Sequence, residues 1–406
     1  MTWRSFLRLL GALAPFAAAA GSWVIFFEYL PNGLYRNEEL VHYVIPTLGS
    51  AVVGALVVTA RLNLRGDGGG NSNHIMAAET LLFVDQMVEA TVSALIAELG
   101  QSAKTGWYGW PHFLGVPQEY GQGISPLGTA YGLRTLGLSR EPRFDIIARV
   151  GSSLLDMQLE GGGWASSSQS TIARPEVTAF ILASLHNVGV PSERITPLVS
   201  QLEESCNEDH DAIGMSRTFV VASSLAGLTT ASPDSETIPR LVENLCEGAI
   251  PEQGGRYHWA ASTRPAEAQR MRPSTVHTAR AAWALTRCNE LGRLPRDFQD
   301  LLGGSVEWLR GHADLASTSE EVIRFVHGNR ESLVVKHFTS SWVARLLMAM
   351  KVAPDDDLLA KATNRVLAYR QHRSLWRWDT GEYPIWMTYQ GLSVLIRAAV
   401  VPERPI

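Results

Sequence analysis

The chain has 406 residues, enough for one large domain with additions. It is 46% hydrophobic and only 18% charged, and its net charge of −5 argues against a generic nucleic-acid binder. Its three cysteines, Cys206, Cys246 and Cys288, form no C-x-x-C pair, which excludes a disulfide scaffold and fits reduced thiols.

The apolar excess sits at the start. Residues 9–30 are almost uncharged until Glu28, and residues 43–62 are apolar apart from Arg61. Each run is near the roughly 20 residues that span a bilayer as a helix. Between them Pro31-Asn32-Gly33 is a turn signal, followed by Arg36, Glu38 and Glu39. Residues 1–65 therefore read as a transmembrane hairpin. Arg4 and Arg8 precede the first span, and Arg61 and Arg65 close the second, so both ends are expected in the cytoplasm of a bacterial inner membrane. A cleaved signal peptide ending at Ala17–Ala20 is the alternative, but apolar residues continue past that site through Trp23 to Phe27. Small residues, Ala17 and Gly21 in one span and Ser50 and Gly54 in the other, would let hairpins pack into a homo-oligomer.

Residues 66–76 form a Gly-rich linker. Helical periodicity returns at about residue 77 and runs to about 99. Beyond it two kinds of segment alternate. One kind carries a threonine followed by an apolar residue at +4 and leucine at +7. It begins at Thr129, Thr178, Thr218, Thr278, Thr339 and Thr388. Offsets of 4 and 7 put three residues on one helical stripe. These helices are poor in charge after the first turn, as buried helices are. The other kind is more amphipathic and precedes it, at about 144–159, 194–204, 238–246, 296–311 and 355–371. With the 77–99 helix this makes six pairs. No alternating strand longer than four residues stands out. The prediction is an all-α chain. Residues 77–406 form an (α/α)6 toroid of two concentric helix layers, preceded by two transmembrane helices. Asp355-Asp356-Asp357 is expected to complement the dipole at the start of an outer helix.

Glycine- and tryptophan-rich turns sit in four connections: Gly106-Trp107-Tyr108-Gly109-Trp110, Gln158-x-x-Gly161-Gly162-Gly163-Trp164, Gln253-Gly254-Gly255-x-x-x-Trp259 and Gln371-x-x-x-x-Trp376-x-Trp378. The tryptophans are expected to cover the seam, with the glutamine amides on open backbone groups. Gln-x-x-Gly-Gly-Gly-Trp followed by a Thr-Ala helix resembles the repeat of squalene–hopene cyclases and protein prenyltransferase β subunits. The resemblance covers roughly residues 77–400 and implies an α/α toroid; it is not specific for a reaction.

The resemblance also implies signatures to look for. Class II terpenoid cyclases carry Asp-x-Asp-Asp-Thr-Ala, the middle Asp protonating an alkene. The matching stretch is Arg174-Pro175-Glu176-Val177-Thr178-Ala179, which keeps one acid, Glu176, and has Arg174 and Val177 where flanking acids would stand. The prenyltransferase zinc set of Asp, Cys and His is not found; Cys206 and His210 share one acidic turn with no second pair. Paired-carboxylate glycoside hydrolysis would draw on Glu176, Asp211, Asp379 and Glu382, whose spacing does not favour it. No cofactor and no metal are expected, and the balance leans away from an enzyme.

What recurs is positive charge just ahead of the inner helices, at Arg174, Arg217, Arg272, His277, Lys336 and His337. Helix N-termini carry free N–H groups and partial positive charge, so these residues form a candidate anion site. Aromatic residues on the same helices (Tyr131, Phe180, Phe219, Trp283, Trp342, Tyr389) either fill the core or line a cavity. The expected function is a membrane-anchored receptor or effector for an anionic or amphipathic ligand or a protein partner. A transmembrane hairpin on a sensing domain is similar to membrane-damaging effectors of bacterial anti-phage defence. The alternative is a membrane-associated terpenoid cyclase or prenyl-transfer relative acting on a polyprenyl substrate, with Glu176 as its acid.

Overall fold

The computed structural model describes residues 70–115, 123–168, 170–207, 214–326, 329–371 and 374–400, all within one unit, Leu64–Ile406. The expected transmembrane spans at 9–30 and 43–62 lie outside these residues. Among the described residues no helix is long and apolar enough to cross a membrane.

Helices alternate between two layers. The outer set is α1 (Gly70–Ala97), α3 (Phe144–Asp156), α5 (Ser192–Asn207), α7 (Thr237–Glu247), α9 (Gln299–His312) and α11 (Asp357–Ala368). The inner set is α2 (Pro126–Leu136), α4 (Pro175–Asn187), α6 (Thr218–Ala231), α8 (Thr275–Glu290), α10 (Thr339–Ala349) and α12 (Ile385–Val400). Helix α1 starts inside the stretch expected as linker, at Gly70 rather than near residue 77. The amphipathic and apolar patterns sort the layers as expected. Outer α7 buries Ile238, Leu241, Val242, Leu245 and Cys246, one stripe at helical spacing. Inner α6 buries residues on most of its circumference, among them Phe219, Val220, Val221, Leu225 and Leu228. Each inner helix packs on the next, and α12 returns to α2, so the ring is closed. The outer helices pack behind it, with α1 covering the α12–α2 junction.

The connections explain why threonine recurs. Thr129, Thr178, Thr278 and Thr388 accept the backbone N–H of Trp110, Trp164, Trp259 and Trp376, at 3.3, 3.1, 3.0 and 3.2 Å. The indole N–H of each of these tryptophans donates to a carbonyl in the last turn of the preceding outer helix: Leu95, Leu154, Leu245 and Val366, at 2.7, 2.8, 2.7 and 2.9 Å. Those carbonyls have no partner within their own helix. One fully buried tryptophan thus ties the end of an outer helix to the start of the next inner one. The two repeats without such a tryptophan improvise. Thr218 donates to Ala260 O at 2.6 Å, and the Thr339 hydroxyl lies 3.4 Å from that of Thr318. The glutamines play a smaller part than expected; the Gln158 amide donates to Gln201 at 3.0 Å instead of capping backbone.

One element departs from the all-α expectation. Strands β1 (Thr318–Val326) and β2 (Asn329–His337) form an antiparallel pair between α9 and α10, in register from Thr318–His337 to Val326–Asn329. Gly328 and the β-branched Val322, Ile323, Val326, Val334 and Val335 are its sequence signals. Charged residues on both sides of the turn broke the apolar alternation and hid it. The remaining strands are two or three residues long. Asp356 caps α11 as expected, accepting from the N–H groups of Leu358 and Leu359 at 3.0 Å.

The clamp makes a direct expectation. Thr178→Val leaves the buried N–H of Trp164 without an acceptor and should destabilise by about 1–3 kcal/mol. Gly391→Ala places a methyl 2.2 Å from Cε2 of the Trp376 ring and should cost about as much. Urea denaturation of the two variants reads both; a Thr178→Val midpoint equal to wild type would mean that water replaces the lost hydroxyl.

Candidate functional site

The threonine stripe faces the outer layer. At about 100° per residue, positions +2, +5 and +9 from each threonine fall on the opposite side of the helix. Those positions line a central cavity of about 770 Å³. The +2 row holds Tyr131, Phe180, Arg280 and Gln390. The +5 row holds Arg134, Ala183, Ser223 and Trp283, with Arg345 at +6. The +9 row holds Asn187, Gly227, Arg287 and Arg397. Equal offsets lining one space mean that the inner helices run in parallel.

Seven cationic side chains line this cavity, and Glu176 is the one carboxylate among the described lining residues. Several cations have company. Arg287 pairs with Glu290, and Lys336 lies 3.7 Å from Glu382. Arg280 donates to the Ser223 hydroxyl at 2.6 Å. Arg345 differs: it is 6% exposed, its Nε has no hydrogen-bond partner, and no acid among the described residues pairs with it. Its guanidinium carbon sits 4.5 Å from the Trp283 ring and 4.6 Å from Trp342. Burial pushes its pKa down to about 9, which leaves it charged at neutral pH. The Trp283 indole N–H and the side-chain carbonyl of Gln390, both in the same lining, are buried without partners.

Behind Arg280 lies a buried relay. Glu320 of β1 accepts from His277 Nε2 at 3.2 Å and from His337 Nε2 at 3.0 Å. Arg280 Nη1 is 3.3 Å from His337 Nδ1. A guanidinium only donates, so His337 accepts at Nδ1 and carries its proton on Nε2. Burial, with Arg280 and His277 adding to it, pushes His337 down to about 4 against the pull of Glu320. Burial alone would raise Glu320, but the two imidazole donors outweigh it and hold the carboxyl well below the usual range. The ligand atoms of His277, Glu320 and His337 all lie within 4.8 Å of one another, a spacing compatible with a metal ion. The Arg280 contact opposes that use, since it keeps the proton on the nitrogen that would have to bind the metal. The arrangement is a hydrogen-bonded bridge that fixes the root of the hairpin to α8.

Of the residues expected at an anion site, Arg174 and Lys336 line the cavity. Arg217 stands at the N-cap of α6 and bridges to Ser262 outside the lining, and Arg272 is exposed to solvent. His277 and His337 are committed to Glu320. The arginines missed from sequence, Arg134, Arg280, Arg287, Arg345 and Arg397, lie within the inner helices and not ahead of them. The signal was present: apart from Glu290 at the end of α8, every Asp, Glu, Lys or Arg in these helices beyond the first turn is an arginine. Cys206, Cys246 and Cys288 are buried free thiols, which burial pushes up to about 12. His210 and Asp211 lie outside the described residues. Asp379 and Glu382 do not join Glu176 in the lining.

No protein-family model matches the sequence, and no characterised protein is similar enough to match it along the chain. Solved structures do match. A family 76 glycoside hydrolase from a bovine Bacteroides thetaiotaomicron strain superposes with a TM-score of 0.53 at 7% identity, over 78% of this chain and 77% of its own. The family 76 mannosidase Bt3792 of Bacteroides thetaiotaomicron VPI-5482 gives 0.50 at 9% identity, over 79% and 98%. The type II terpene cyclase MstE from Scytonema, as a point variant bound to geranylgeranyl dihydroxybenzoate, gives 0.52 at 15% identity, over 80% and 100%. The fold is an α/α toroid. At such identities the likeness reaches no further than the fold.

The relay sets a pH dependence. His337 has an ordinary value of 6.5 and a folded value of about 4. Between these the unfolded chain binds the proton first, so stability falls as pH drops through that window. Below it, protonation of Glu320 removes more. His112, half-buried and also lowered to about 4 by desolvation and by Lys336, adds to the same slope. The urea midpoint should therefore decline from pH 6.5 to 4, by an amount worth up to about 3 kcal/mol for His337. His337→Gln should flatten that decline; an unchanged slope would assign it to other groups.

Proposed function

We propose that the toroid is a receptor for an anionic small molecule held in its central cavity. The observation that carries this is Arg345, a buried guanidinium with no acidic partner among the described residues, in a lining with seven cations and one carboxylate. Burying an unpaired charge is costly, by several kcal/mol. A ligand anion supplies the missing partner, and the free Trp283 N–H can donate to it, while the Gln390 side-chain carbonyl can accept from a protonated group of the same ligand. The cavity size suits a drug-sized molecule, for which pockets run from roughly 300 to 1,000 Å³.

Chemistry like that of the fold's neighbours fits less well. A terpene cyclase passes through carbocations. At an effective dielectric near 20, a cation about 6 Å from a guanidinium is disfavoured by about 3 kcal/mol, and several guanidinia share this space. Glu176, moreover, has no second carboxylate among the described lining residues to assist it as an acid. A glycoside hydrolase needs two carboxyl groups across the scissile bond, some 5–9.5 Å apart. The single carboxylate among the described lining residues does not supply that pair.

The effector part of the reading rests on sequence. If residues 9–30 and 43–62 insert as a hairpin, ligand binding in the toroid would be coupled to how the hairpins associate in a membrane.

Arg345→Met separates binding from folding. It removes a buried charge but keeps an apolar stem, so the unliganded variant should be as stable as wild type or more so. Its affinity for inorganic pyrophosphate, read by titration calorimetry, should fall at least about tenfold. Equal affinity in both proteins would sink the receptor reading. For the effector part, vesicles carrying the full chain should release an entrapped dye when ligand is added; release that is unchanged when residues 1–65 are deleted would end it.

A further inference from the structure

The lining divides into two halves of matching chemistry. On α12, α2 and α4, Tyr389, Tyr131 and Phe180 form one ring cluster, with centroids 4.2 Å apart for Tyr131–Phe180 and 5.7 Å for Tyr131–Tyr389. The Arg134 guanidinium lies 5.2 Å from both Phe180 and Tyr389. On α6, α8 and α10, Phe219, Trp283 and Trp342 line the other half, the two indoles 5.5 Å apart and edge to face. Arg280 lies 5.5 Å from Phe219 and 4.6 Å from Trp342, and Arg345 sits over both indoles. Three consecutive inner helices thus give one aromatic residue each to each half, with guanidinia among the rings.

Charge and rings are also interleaved along the depth of the cavity. Arg280 belongs to the +2 row, Arg134 and Arg345 to the middle row, and Arg287 and Arg397 to the +9 row. A prenyl diphosphate needs cations at one end and an apolar sleeve at the other. No row from +2 to +9 is free of guanidinium, so such a tail has no apolar compartment. A bare anion, in turn, has no use for six rings. The ligand that uses both is one whose planar groups are joined by negative charge: rings stack on rings, and the linking anions meet the arginines.

Resting on the receptor reading above, we infer that the ligand is a phosphodiester-linked dinucleotide, one base facing each aromatic half and the phosphates lying on Arg345, Arg280 and Arg134. Stacking is tolerant of base identity, so the site would select for two linked bases more than for their sequence. Glu176, at the end where the inner helices begin, would oppose extra phosphates there and limit the ligand's charge.

Calorimetry on the full chain separates this from the broader reading. The probes are inorganic pyrophosphate, adenosine monophosphate, 5′-phosphorylated and cyclic diadenylate, and farnesyl diphosphate. A diadenylate should bind at least about tenfold more tightly than the mononucleotide or pyrophosphate, since each stacked base contributes separately. Trp342→Leu and Tyr389→Leu, one in each half, should each weaken diadenylate about tenfold while leaving pyrophosphate within about twofold. Thermal melts check that each variant folds, and either one alone suffices for the test. Pyrophosphate or farnesyl diphosphate binding as tightly as the diadenylates would overturn the dinucleotide and leave the anion receptor standing. Binding of none of these probes would overturn both.

Discussion

The fold depends on one repeated hydrogen-bonded joint. A buried tryptophan donates its indole N–H to the loose last turn of an outer helix, and its backbone N–H to the threonine that opens the next inner helix. Each joint satisfies a carbonyl that the helix itself cannot, and it does so in a site closed to water, where an unmade hydrogen bond is most costly. It also sets the angle at which the chain turns back. Repeated around the ring, with substitutes at Thr218 and Thr339, it sets six inner helices side by side in a closed ring. The approach is close enough that Gly132 and Gly391 leave no room for a methyl against Trp110 and Trp376.

That joint also decides which side of each inner helix faces the centre. Because threonine, +4 and +7 are committed to the outer layer, +2, +5 and +9 turn inward. A helix apolar on most of its surface can then carry a charged residue only on that inner stripe, where it meets the cavity and not the packed layers. The arginines of α2, α8, α10 and α12 obey this rule. Their mutual repulsion is eased in part by nearby rings, by Glu290 beside Arg287 and, through His337, by Glu320 behind Arg280. Arg345 is left to its two indoles.

The hairpin breaks the symmetry of the repeat. It occupies the long interval between the threonines of α8 and α10, where no tryptophan joint is made. Its Val334, Val335 and Lys336 line the cavity, and Val334 is 60% exposed. The Glu320 bridge to His277 and His337 holds its root, so the same carboxylate that fastens the hairpin also orders the residue against which Arg280 rests. Fold closure and cavity electrostatics meet at this point.

Sequence periodicity alone determined the helical pairs and the two-layer ring, because burial on a helix imposes a period that survives without any knowledge of neighbours. Outer helices such as α7 and inner ones such as α6 were legible for that reason, as was the Asp356 cap. The hairpin was not legible, because charges such as Glu320 and Glu321 among its valines disrupt the period-two pattern. The cavity was legible only in part: Arg174 and Lys336 were found ahead of their helices, while Arg134, Arg280 and Arg345 were passed over inside them. The direction in which a side chain points depends on which stripe the packing claims first, and only the tertiary structure, by turning the threonines outward, decided that the arginines share one enclosed space.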